Sequence, residues 1–144
     1  MCLSTKWNLG TFKLKVAKKD IIVYKVFKKS NDNNNDLLSA FTNFRWKVNE
    51  LMDANPYDKE LFREKIKKYK FIGDGMFHTF KNKRDAKYLI TLLEGIWGSE
   101  FDYTVYKCII PKGTEYVKGY FFDDSYVIKP VNYGSFNLIL KEEV

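Results

Sequence analysis

Histidine and cysteine are scarce in this sequence, which has one histidine and two cysteines among 144 residues. Zinc sites need several such side chains at short spacing, and His78, Cys2 and Cys108 are widely separated in the chain. We therefore predict no zinc site and no disulfide framework. We assign no metal ligands, and a magnesium site made of carboxylates stays open. Cys108 lies in an apolar stretch that is typical of a strand, which predicts a buried free thiol.

Motifs for phosphate binding and for nucleophilic catalysis are also lacking. The chain has no P-loop and no G-x-G-x-x-G after a strand, and the short Gly73–Gly75 segment replaces neither. His78 is the only imidazole, and nothing in the sequence marks a partner for it, so no Ser-His-Asp or Cys-His arrangement is indicated. We predict no catalytic residue and no cofactor.

Long hydrophobic runs are absent. No stretch approaches the roughly 18 apolar residues of a membrane-spanning helix, and the first residues contain no apolar segment of the signal-peptide type. We expect a cytoplasmic protein that makes no membrane contact. The 45% hydrophobic and 17% aromatic content argues against disorder, and the length fits one domain, residues 1–144.

The clearest local pattern is a strand followed by a helix. Met76 to Phe80 alternates as a strand, and Asn82 is a good residue to cap a following helix. The helix is predicted from apolar residues at offsets of three, four and seven, and Gly95 or Gly98 would end it. These apolar residues are Ala86, Leu89, Ile90 and Leu93.

Most other segments read as strands. The stretch from Asp20 to Phe27 is β-branched and aromatic on both faces, which predicts a central strand. A second helix is predicted over Asp58 to Tyr69, and a turn over Pro111 to Thr114. The remaining predicted strands are 44–48, 101–110, 115–122, 126–129 and 136–140. Together these elements predict an α+β fold with a mostly antiparallel sheet and one or two helices.

A net charge of +7 favours anionic partners. Basic residues also alternate with aromatic ones in Tyr24-Lys25 and in Phe44-Arg45-Trp46-Lys47, as in sites that hold bases and phosphates. The same alternation describes any strand with one wet face, and a Tyr or His in a strand is often a packed, hydrogen-bonded residue.

From this pattern we predict a basic aromatic cleft for an anionic, nucleotide-like ligand. Tyr24 would stack on the ligand, the cations Lys25 and Lys112 would neutralise phosphate, and His78 and Thr79 would donate or accept hydrogen bonds.

Three segments together resemble the core of ADP-ribosyltransferase-like folds. They are Val23–Val26, then Gly75–Phe80 followed by Asp85-Ala86, and Tyr106–Thr114, which ends in Pro-Lys-Gly-Thr. The same pieces are similar to short uncharacterised proteins of phages and prophages. The resemblance implies a nucleotide-binding cleft, and in a phage setting it implies a protein that sequesters a host immune signalling nucleotide.

The chain departs from that family at its functional positions. Lys25 stands where the family has Arg, His78-Thr79 stands in place of a Ser-Thr-Ser run, and no counterpart of the catalytic Glu is evident. This favours a binding scaffold. An active transferase that uses NAD stays open, with Asp123, Asp124 or Glu115 replacing the Glu. A protein-interaction module that blocks an acidic host protein is a third alternative, and nucleic acid and a second copy of the chain stay open as partners.

Overall fold

The computed structural model describes residues 3–4, 14–30, 36–40, 44–54, 58–69, 71–72, 76–98, 101–120 and 130–144. The helices in these ranges are α1 (Lys59–Tyr69) and α2 (Lys83–Trp97). The strands, in chain order, are β1 (Leu3–Ser4), β2 (Lys15–Val16), β3 (Ile21–Lys29), β4 (Leu37–Ser39), β5 (Arg45–Trp46), β6 (Leu51–Asp53), β7 (Phe71–Ile72), β8 (Phe77–Phe80), β9 (Asp102–Ile110), β10 (Glu115–Tyr120), β11 (Val131–Ser135) and β12 (Asn137–Glu143).

The strands form one open sheet in the order β6-β12-β9-β3-β8-β11-β10-β1-β7, with β2 beside β10 and with β4 and β5 branching from β3. Every ladder between these strands is antiparallel. The prediction of one small domain with a mostly antiparallel sheet and two helices is therefore confirmed. Within the described ranges, neither helix has the length and hydropathy to span a membrane.

β3 lies at the centre of the sheet, as predicted, and it forks on one side. β9 pairs with β3 at every residue from Ile21 to Lys29. On the other side, β8 pairs with β3 at Tyr24, and β4 takes over from Phe27 to Lys29. A fork between β8 and β4 therefore lies beside Lys25 and the residue that follows it.

Alternation along the strands divides the buried side chains between two faces of the sheet. We call one the inner face, because its side chains form the larger core cluster, including Val23, Phe27, Cys108, Leu138 and Leu140. The other is the helix face, where α2 packs on the sheet. Its cluster includes Val26, Phe80, Ala86, Leu89, Leu93 and Val105.

The structure confirms α2 and its apolar face. Asn82 occupies the N-cap position, although its side chain makes no capping hydrogen bond, and Gly98 ends the helix with a φ of 65°. That left-handed conformation suits glycine. α1 also forms as predicted, and Asp58 Oδ1 accepts a hydrogen bond from the Leu61 amide at 3.0 Å.

Other predictions differ from the structure or fall outside it. The strand predicted over 44–48 is reduced to the two residues of β5, and β11 was not predicted at all. Cys108 is a buried free thiol, as predicted. The predicted turn at 73–75, the predicted strand at 126–129 and Cys2 lie outside the described residues.

Candidate functional site

Lys25 is the feature around which a site can be built. Its side chain lies on the inner face, between Val23 and Phe27 along β3. Its Nζ lies 5.7 Å from the ring centroid of Trp46 and 5.9 Å from that of Phe27. No carboxylate lies within ion-pair distance of this ammonium in the part of the chain that the structure describes. A lysine in such a position is unusual, because buried ammonium groups are nearly always paired.

The fork in the sheet explains why an ammonium is held here. Lys25 Nζ donates a hydrogen bond to the carbonyl oxygen of His78 at 3.0 Å. His78 precedes Phe80 by two residues, so its carbonyl points to the same side of β8, toward β3. The β3–β8 ladder is formed at Phe80, and the Lys25 side chain supplies the donor where that ladder stops.

Burial sets the charge state of this amine. It lowers the pKa of Lys25 from 10.5 to about 8, and the nearby Cys108 opposes that shift because a thiolate there would favour the ammonium. The Lys25 residue as a whole is partly exposed. Because this pKa lies above neutrality, the ammonium form predominates at pH 7.

Cys108 is the titratable neighbour on β9. Burial raises the pKa of its thiol to about 12, against the opposing effect of the Lys25 charge. The thiol therefore stays protonated at neutral pH. Its Sγ lies 3.5 Å from the backbone oxygen of Tyr106, the residue directly opposite Lys25. Cys108 thus behaves as a small apolar side chain in this core and is no nucleophile there.

Aromatic rings form a wall beside the Lys25 ammonium. Trp46 is buried, its Nε1 donates to Ser39 Oγ at 2.8 Å, and its ring packs against Phe77 at 4.6 Å between centroids. Phe44 contacts both of these rings, at 5.4 and 5.6 Å, and remains 39% exposed. The wall therefore runs from the buried charge to the surface.

The five predicted ligand contacts do not share one face. Lys25 and Thr79 lie on the inner face, whereas Tyr24 and the His78 side chain lie on the helix face. Lys112 is exposed in the turn after β9, where its amide donates to Asp20 Oδ1 at 2.9 Å. That turn adjoins the Ile21 end of β3, about 13 Å from Lys25 at the usual rise per residue.

Of the two residues on the inner face, Thr79 is fully buried. Its Oγ1 donates to the Tyr133 backbone oxygen at 3.4 Å, across the β8–β11 ladder. His78 meets Lys25 through its backbone carbonyl and not through its imidazole. The inner-face pair is therefore the part of the predicted site that the fold brings together. Whether any of the five residues contacts a ligand stays a prediction.

The sequence pattern places Phe44 and Trp46 among the aromatic residues that alternate with basic ones, but the five predicted ligand contacts do not include them. β4 pairs with β3, and β5 pairs with β4, with Leu37 opposite Trp46. This pairing places Trp46 near Lys25 of β3. The local pattern identified the rings, and only the strand order places them beside Lys25.

Of the carboxylates considered for catalysis, the described one, Glu115, is paired with an arginine. Both carboxylate oxygens of Glu115 accept hydrogen bonds from Arg63 of α1. Nε donates to Oε2 at 3.0 Å, and Nη2 donates to Oε1. This pair, with Glu60 contributing, raises the pKa of Arg63. Asp123 and Asp124 lie outside the described residues.

No group of three or more His, Cys, Asp or Glu side chains suited to a metal ion occurs among the described residues. No protein-family model, curated protein or solved structure matches the chain significantly.

Proposed function

We propose that this protein binds an anionic, nucleotide-like ligand, and that Lys25 neutralises the ligand's phosphate. The observation that carries this proposal is a buried ammonium with one carbonyl acceptor and no carboxylate among the described residues. An ammonium has three donors. A phosphate oxygen would supply the charged partner that buried cations usually have.

The aromatic wall supports a ligand that carries a flat ring. Bases stack on aromatic side chains with little dependence on their identity, and Phe44 offers an exposed ring that continues into Trp46. Thr79 lies on the same face, but its hydroxyl already donates within the sheet. We therefore assign the stacking role to Phe44 and the charge to Lys25.

The wider proposal is a small α+β binding protein that works in the cytoplasm. In the phage setting that the sequence resemblance implies, it would act as an antagonist that sequesters a host immune signalling nucleotide. The net charge of +7 supports an anionic ligand in general terms.

The test compares two lysines on the same strand. Lys25→Met keeps the length of the side chain and removes its charge. Lys28→Met is the matched control, because Lys28 Nζ also lies over a ring, that of Phe101 at 4.9 Å, but on the opposite face.

Native mass spectrometry of freshly purified protein would first reveal any ligand that co-purifies. Calorimetric titration with ATP, NAD and a cyclic dinucleotide would then give affinities.

We expect at least one of these probes to bind, and Lys25→Met to weaken it roughly 10- to 100-fold, the usual effect of losing a charged hydrogen bond. Lys28→Met should bind as the unmodified chain does. Affinity should also fall as the pH rises through about 8, where Lys25 loses its charge. Equal binding by both variants, or no bound or co-purified nucleotide, would overturn the proposal. Transfer of label from NAD to protein in a lysate would replace it with the transferase alternative.

A further inference from the structure

An apolar row crosses four neighbouring strands on the helix face. Ile22 of β3 pairs with Ile109 of β9, Ile109 with Ile139 of β12, and Ile139 with Leu51 of β6. Directly paired residues point to the same side of a sheet, so these four side chains form one line. We call it the apolar stripe. Since neighbouring strands are 4.7–4.9 Å apart, the stripe is about 14 Å long.

α2 leaves this stripe uncovered. The helix packs farther along the same face, on Val26, Phe80 and Val105. Ile22 and Leu51, at the two ends of the stripe, are 52% and 61% exposed, and the two isoleucines between them are partly buried. Scattered exposed apolar residues are ordinary, but a contiguous row over several strands is typical of an interaction surface.

The charges beside the stripe are complementary to those of a second copy of the chain. Lys107 lies two residues before Ile109 on β9, and Glu142 lies opposite Lys107 on β12, with Nζ and Oε1 3.5 Å apart. A two-fold axis parallel to the strands, between β9 and β12, would place Ile22 on Leu51 of a second copy and Ile109 on Ile139. The same rotation places Lys107 of each copy on Glu142 of the other.

We propose that the apolar stripe is the interface of a homodimer with this two-fold arrangement. Sheets that pack face to face keep their strands roughly aligned, as this axis requires. A uniformly acidic partner fits less well, because it would meet Glu142 with charge of the same sign. A row of four side chains buries less surface than the roughly 1,200–2,000 Å² of a stable protein–protein interface. We therefore expect a weak dimer, with a dissociation constant on the order of 10 μM.

Sedimentation velocity of the full chain, over concentrations from about 1 to about 500 μM at an ionic strength of about 0.15 M, measures this association. We expect the mass to rise from one chain toward two. Ile22→Lys and Leu51→Lys should each abolish the rise. Ile96→Lys is the control, since Ile96 is 69% exposed on α2 and is not part of the stripe. Thermal unfolding would verify that all three variants fold.

A charge exchange tests the arrangement itself. Lys107→Glu should weaken the dimer by placing like charges together, and adding Glu142→Lys to it should restore the dimer. A single-chain mass at every concentration would overturn the proposal, as would a dimer that survives both lysine substitutions in the stripe. Because the stripe and Lys25 lie on opposite faces, these results do not depend on whether a nucleotide binds.

Discussion

We expect Lys25 to have opposing effects on stability and on the proposed ligand binding. Its buried charge destabilises the fold relative to an apolar side chain of the same shape, because desolvation exceeds what one carbonyl acceptor returns. The same charge, which has no carboxylate partner among the described residues, is what an anionic ligand would use. Functional positions commonly show this conflict between stability and activity.

The pH dependence of stability follows from the lowered pKa of Lys25. Between about 8 and 10.5 the unfolded chain holds a proton that the folded chain has released, so the free energy of unfolding rises with pH in that window. Lys25→Met lacks this contribution. We therefore expect the unmodified chain to gain stability relative to Lys25→Met as the pH rises from about 8 to about 10, measured by urea denaturation at each pH.

Cys108 also contributes to the pH dependence of stability in this range. Its raised pKa has the opposite sign, because above about 9 the folded chain retains a proton that the unfolded chain has lost. Both chains keep Cys108, but Lys25→Met also removes the Lys25 charge that opposes this shift, so the Cys108 contribution cancels only in part. A difference that stays flat or falls with pH would contradict the burial of the Lys25 ammonium.

Part of the site could have been predicted more sharply from the sequence. Tyr24 and Lys25 are adjacent on a strand, and so are His78 and Thr79, so each pair must divide between two faces. That rule alone excludes a single wall formed by all four side chains. The contact between Lys25 and His78 was beyond local reasoning, because it depends on the fork between β8 and β4.

Among the elements, α2 is held by its apolar side and by the strands beneath it. Leu93 is 1% exposed and packs in the helix-face cluster. We expect Leu93→Ala to destabilise the protein by about 2–5 kcal/mol, through lost burial and a residual cavity. Ile96→Ala, on the exposed side of the same helix, should change stability by less than about 0.5 kcal/mol. Chemical denaturation measures both, and equal effects would contradict the packing of α2.

Elements differ in how well local pattern predicts them. α2 has a cap residue, a continuous apolar face and a terminal glycine, and each of these signals agrees with the others. β11 has Pro130 before it and contains Asn132 and Gly134, which are unfavourable in strands. It forms because β8 and β10 pair with it on both sides. Pairing of that kind is decided by tertiary structure and cannot be read from five residues.

At the scale of the whole molecule, the sheet joins segments that are far apart in sequence. β3 pairs over nine residues with β9, and β6 pairs with β12 near the end of the chain. Such topologies fold slowly, because long loops must close before the contacts form. We expect refolding in milliseconds to seconds in stopped-flow dilution from urea. Complete refolding within microseconds would contradict this strand order.

At the fork, a lysine side chain joins β3 to β8 where the backbone ladder between them stops. Backbone amides connect the rest of these ladders, and they do not titrate. At Lys25 the connecting donor is a primary amine at the end of four methylene groups. Once deprotonated, this amine still has hydrogens to donate, but it has lost the charge that strengthens the bond. As the pH rises through about 8, we therefore expect this hydrogen bond between β3 and β8 to weaken without being lost.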